Sequence, residues 1–150
     1  MSNLKYVVSA CLCGEATRYD GRVKPADPAL CALVGRGEAV LVCPECMGGL
    51  PTPRPPAEIC GERVVNTEGV DVTAQYRRGA ELTLEVCRKH DITNAILKQN
   101  SPSCGSCAVY DGTFSRTLVA GRGVTAALLE ENGIVVYDET NWQEKDGASG

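Results

Sequence analysis

The chain has 150 residues, 43% of them hydrophobic and 23% charged, which suits one soluble globular domain with a full core and leaves too little chain for two. Lys and Arg number 15 against 19 Asp and Glu, a net charge of −4, the wrong sign for gripping polyanions; a small, weakly polar ligand is expected rather than nucleic acid. No apolar run approaches the roughly 20 residues that cross a membrane, and no leader-like segment precedes the first strand, so a cytoplasmic location is expected.

Along the chain, "LKYVVSA" (4–10) is a β-branched run that ends at Cys11. A loop, "CGEATRYDG" (13–21), closes on Asp20-Gly21. "PADPALCALVGRG" (25–37) reads as a short helix with Asp27 as its cap and a glycine stop. A second strand, "EAVLVCPE" (38–45), reaches Cys43. The next stretch, "CMGGLPTPRPPAEI" (46–59), carries four prolines between 51 and 56 and is expected to be stiff, extended and irregular. "GERVVNTEG" (61–69) reads as a small extended arm or hairpin.

From Asp71 to His90, Val72, Tyr76, Ala80, Leu84 and Cys87 recur at helical spacing, with Asp71 as the N-cap. "NAILKQN" (94–100) is a strand, "GRGVTAALLEENG" (121–133) a helix, and "IVVYDET" (134–140) the last strand. The polar segment from Trp142 to Gly150 is expected to form a flexible tail. Strands alternating with helices predict an α/β fold: a single compact domain over 1–150, with a mostly parallel sheet flanked by helices.

Nine cysteines and one histidine are an unusual inventory. Disulfides are disfavoured by the odd count, and His-rich zinc sites by arithmetic. Three of the thiols, Cys11, Cys43 and Cys104, follow the ends of predicted strands. In a parallel sheet those carboxyl ends share one edge, where ligands bind, so the three thiols are expected to converge there. A distant zinc site from Cys43, Cys46, Cys104 and Cys107 competes with this reading. The thioredoxin-like reading of "CPEC" needs a helix starting at the motif, which "MGGLPTPRPP" does not favour. A 4Fe-4S cluster held by three cysteines keeps one iron open as a Lewis acid, and this is the sharper alternative. Cys13, Cys46 and Cys107 shadow Cys11, Cys43 and Cys104, so the residues alone do not select which three would hold it, while Cys31, Cys60 and Cys87 are expected as small apolar core residues.

Four motifs, "VSACLCGEATRYDG", "CPECMGGLPTPRPPAEI", "DVTAQYRRGA" and "SPSCG", resemble a bacterial family whose characterised members are thiouracil desulfidases. The resemblance runs in order from about residue 5 to 137. It implies a 4Fe-4S cluster on Cys11, Cys43 and Cys104, an open iron that takes the sulfur of a thiolated pyrimidine, and a non-redox reaction giving uracil and hydrosulfide. It also points to Glu45 and Ser101 as the catalytic residues. Cys13, Cys46 and Cys107 depart from the family's pattern, and a fourth thiolate could close the site. The competing functions are an iron–sulfur or sulfur carrier without turnover and a zinc-stabilised binding module. A general base beside a ligand favours the enzyme.

Other polar residues carry weaker readings. Arg18, Tyr19 and Asp20 could line the crevice or simply form a turn, and Arg54 could reach over the site or bind loop carbonyls. Arg54, Arg63, Arg77 and Arg78 could form a basic patch, though a solvated face is commoner. Gly48 and Gly49 are expected to permit a close backbone approach to the cluster. His90 reads as a helix-end charge. Oligomeric state has no signature in the chain.

Overall fold

The computed structural model describes residues 4–13, 26–51, 55, 57–60, 62–98, 108–110, 118–120, 123–140 and 142. Four parallel strands make the central sheet: β1 (Tyr6–Ser9), β2 (Ala39–Val42), β5 (Asn94–Leu97) and β8 (Val135–Asp138), in the order β2-β1-β5-β8. Their helices are α1 (Pro28–Gly35), α3 (Thr73–Lys89) and α4 (Val124–Glu131), which supply the crossovers that parallel strands require. The expected α/β class is therefore the fold that forms. No helix among the described residues is long and apolar enough to cross a membrane.

Strand alternation explains the layers. Val7, Ala95 and Leu97 point to a cluster with Leu84, Cys87, Ala126 and Leu129 of α3 and α4. Their neighbours Tyr6, Val8 and Ile96 point the other way, to Leu30 and Leu33 of α1. Both faces of the sheet are thus covered, which is why its strands read as near-continuous apolar runs. Trp142 belongs to this second cluster, 6% exposed and edge-on to the Tyr6 ring at a centroid distance of 6.3 Å. The expected tail therefore begins with a packed anchor; residues 143–150 lie outside the described residues.

Cys87 is 1% exposed and behaves as the core residue expected of it. Burial alone pushes its thiol from 9.0 up to about 11. The folded chain then keeps a proton that the unfolded chain releases, so this stability is complete below pH 9 and is lost as pH rises toward 11. The urea stability of the wild type relative to Cys87→Ala should shrink by about 2 kcal/mol between pH 8 and pH 10.5. A constant gap would show that the thiol is not buried as described.

Two antiparallel hairpins decorate the sheet: β3 (Ala57–Cys60) with β4 (Arg63–Asn66), and β6 (Ala108–Tyr110) with β7 (Leu118–Ala120). The first contains the expected arm, but β3 also occupies the end of the stretch expected to be irregular. The second was not anticipated. Asp71 stands one residue before the formal cap of α3, yet its carboxylate accepts the Thr73 N–H at 2.9 Å, so the cap forms as expected.

The chain moves from β1 outward to β2, then crosses back over β1 to place β5 on its other side. The strand order reverses there, and the carboxyl ends of β1 and β5 flank the crevice where open α/β sheets bind ligands.

Candidate active site

At the carboxyl edge, β1 leads directly into a 3-10 turn, Ala10–Cys13, which carries Cys11 and Cys13. β2 leads into a one-turn helix, α2 (Pro44–Met47), with Cys43 in extended conformation as its N-cap. Ser9 pairs with Val42, so Cys11 and Cys43 lie two and one residues beyond a matched position on adjacent strands, which run about 5 Å apart. The structure thus brings two of the three expected thiols to one edge. Cys104 and Cys107 lie outside the described residues, as do Ser101, Arg18, Tyr19, Asp20 and Arg54. β5 ends at Leu97 on this same edge, so the chain leaves the sheet toward 101–104 from the strand beside β1.

The edge is held by a bond that was not anticipated. The β1–β5 ladder ends at Val8 and Ile96, and one step on, the Ser9 hydroxyl accepts the Lys98 N–H at 2.9 Å. Ser9 is 3% exposed. Beyond it, the Lys98 ammonium pairs with the Glu139 carboxylate at 2.9 Å, tying β5 to the end of β8. Ser9→Ala leaves the Lys98 N–H without this acceptor and should cost about 1–2 kcal/mol. A lower urea midpoint with an unchanged slope is the expected reading; an unchanged midpoint would mean that another acceptor takes over.

Glu45 occupies the first turn of α2, half-buried, two residues beyond Cys43. The segment expected as loop is therefore helical for one turn. Pro44 at the first helical position explains how a proline-rich segment allows it, since its fixed φ suits that position and its missing N–H is not needed there. One turn is too short to activate a thiol in the thioredoxin manner. Burial pushes the Cys43 thiol up to about 12, with the Cys46 thiol and the Glu45 charge acting in the same sense and the Cys46 backbone N–H opposing. Such a group stays a thiol until a cation replaces its proton.

The Cys13 thiol is also raised to about 12, first by burial and then by the Cys31 thiol of α1. Cys31 is half-buried and faces Cys13 instead of filling the core as expected. Cys60, also half-buried, ends β3 and points its thiol at the Glu58 carbonyl at 3.9 Å. His90 caps α3, as a helix-end residue. Arg63 and Arg77 flank an open groove with Glu62 and Asp71 between the β3–β4 hairpin and the start of α3, so the charges there are mixed. Among the described residues, no three His, Cys, Asp or Glu side chains cluster closely enough to hold a metal ion.

Gly48 was expected to approach a cluster, but its close neighbour is α3: a Cβ built on it would lie 1.9 Å from the Gln75 carbonyl oxygen. Gly49 has φ +98° and needs glycine for its backbone conformation.

A family model described as 2-thiouracil desulfurase matches residues 6–141. The uncharacterized protein YbbK of Bacillus subtilis (strain 168) is 43% identical over 143 residues, covering 89% of this chain and 94% of that protein. Among solved structures, a 4Fe-4S-dependent thiouracil desulfidase, TudS (DUF523Vcz), is 50% identical and superposes with a TM-score of 0.92, covering 97% of each chain.

Proposed function

Because the chain belongs to the 2-thiouracil desulfurase family, we propose that it hydrolyses the C–S bond of thiolated pyrimidines, with a 4Fe-4S cluster as cofactor. Thiouracil and water give uracil and hydrosulfide, with no net transfer of electrons. The observation that carries this reading is the placement of Cys11 and Cys43 at adjacent strand ends beside the crevice between β1 and β5. Thiols are the donors an iron–sulfur cluster takes, and two of them at one edge, with a third following the neighbouring strand in sequence, fit three-point attachment.

Cys11, Cys43 and Cys104 would hold the cluster. When bound, it supplies an open iron, a soft Lewis acid suited to the thiocarbonyl sulfur and able to draw electron density from the ring carbon. The remaining work falls to the chain. Glu45 takes a proton from the attacking water, or delivers one to the ring nitrogen as sulfur departs. Ser101 hydrogen-bonds the pyrimidine or relays that proton. The reversal of strand order between β1 and β5 is where open α/β sheets bind small ligands, and the acidic net charge favours a free base or nucleoside over tRNA. We place the enzyme in the cytoplasm, whose reducing poise suits nine cysteines.

The test is anaerobic purification and reconstitution with iron and sulfide, followed by thiouracil. The expected result is about four irons per chain, loss of the substrate's near-ultraviolet band and stoichiometric sulfide release. A full cluster without turnover of 2- or 4-thiouracil would leave a carrier instead. Zinc in place of iron would overturn both readings.

A further inference from the structure

One family-like motif, "DVTAQYRRGA", has no part in the chemistry above, and neither does Gly48. Both meet at the seam between α2 and α3. A Cβ on Gly79 would lie 1.8 Å from the carbonyl oxygen of Pro44, and one on Gly48 would lie 1.9 Å from that of Gln75. The two contacts are reciprocal: each helix presents a glycine Cα to a carbonyl of the other, a geometry that Cα–H···O contacts reinforce. Beside them, the Thr83 hydroxyl, itself bonded to the Gly79 carbonyl at 2.8 Å, faces the Met47 sulfur at 3.8 Å. Gln75, Gly79 and Thr83 are spaced four residues apart and so form one ridge of α3. The turn that holds Pro44, Met47 and Gly48 is seated along that ridge, backbone on backbone.

We propose that Gly79 and Gly48 are positioning residues for the reaction: they set the height at which the Cys43-Pro44-Glu45 turn sits over the strand edge, and so place both the ligand and the base. The inference rests on the desulfidase reading above. Its mechanism follows from which partner yields. α3 is 17 residues long and buries Tyr76, Ala80, Thr83, Leu84 and Cys87, whereas α2 has four residues and buries only Pro44. An added methyl at Gly79 must therefore lift α2. Relieving a contact of 1.8 Å to the ordinary limit of 3.4 Å moves the turn by roughly 1.5 Å. Ligand distances in metal sites hold to about ±0.2 Å, and a misplacement of 1 Å can cost about 100-fold in rate.

The experiment compares Gly79→Ala and Gly48→Ala with wild type and with Gly35→Ala, whose added methyl has nothing within 4 Å. Each protein is reconstituted anaerobically, counted for iron, reduced for its electron-paramagnetic resonance spectrum with and without 2-thiouracil, and assayed for kcat and KM. Wild type and G35A should load fully and behave alike. G79A and G48A should hold at most half the iron, and their loaded fraction should show an altered resonance spectrum and a kcat down about 100-fold. Their KM should stay within about threefold, because the change falls on placement of ligand and base. If either glycine variant does not fold, Met47→Ala loosens the same seat by deletion and should shift the spectrum in the loaded protein. Glycine variants, or M47A in their place, with wild-type iron, spectrum and kcat would overturn the proposal. So would a loss of activity matching only the unfolded fraction in a thermal melt. Failure of wild type and G35A to load iron would instead sink the desulfidase reading itself.

Discussion

Cys43→Ala is expected to fold and to lose both its iron and its turnover, while Cys46→Ala keeps both. The two thiols are close: Cys46 sits one turn along α2, and its thiol faces that of Cys43. What separates them is attachment. Cys43 leaves β2 in extended conformation at φ −131°, one residue beyond the Val42–Ser9 register, so the sheet itself fixes its position. Cys46 hangs from a four-residue turn and reaches the edge only through it. Loss of an outer-shell contact typically costs 10–100-fold in metal affinity or activity; loss of the ligand should therefore exceed about 100-fold. The measurement is iron per chain after anaerobic reconstitution, with thiouracil turnover on the same samples. Iron retained in C43A and lost in C46A would exchange the two roles, and loss in both would make the site a four-thiolate one.

Much of the fold was legible because its signals are local. The short apolar runs at 6–9, 39–42 and 94–97 and the helical periodicity from Val72 to Cys87 state their own structure, and the cysteines at two strand ends follow from them. What stayed hidden depends on contacts far apart in sequence. The turn Pro44–Met47 looks like loop because glycine and proline surround it, and it is seated on α3 through Gly79, more than 30 residues away. Ser9 reads as one more small residue in "VVSAC" until Lys98, 89 positions on, is found bonded to its hydroxyl. Cys31 has the look of a core residue in a helix, and only the packing of α1 on the 3-10 turn reveals Cys13 as its neighbour. The hairpin at 108–120 did carry a signal, since Asp111-Gly112 stands between two apolar runs, but its strands of three residues are too short to outweigh a loop reading.

Glu45→Gln is the change that separates catalysis from architecture, because its two effects are expected to have opposite signs. The Glu45 charge opposes ionisation of Cys43, so removing it eases the loss of that thiol's proton. Cluster loading should accordingly be at least as complete as in wild type and should proceed at slightly lower pH. The amide keeps the size of the side chain, and a charge at the first turn of so short a helix contributes only about 0.3–1 kcal/mol, so the fold survives. Turnover should nevertheless fall by about 100- to 10,000-fold, the span over which a general acid or base contributes, with KM little changed. The reason is proton accounting: water attacking the ring carbon must shed a proton, and sulfur leaving the ring requires the resulting oxyanion to collapse to a carbonyl. A neutral amide can neither accept the first proton nor return it. A fully loaded E45Q enzyme with wild-type kcat would show Glu45 to be a surface carboxylate and leave the proton transfer to Ser101 or solvent. A poorly loaded one would mean that Glu45 holds the turn instead of serving the water.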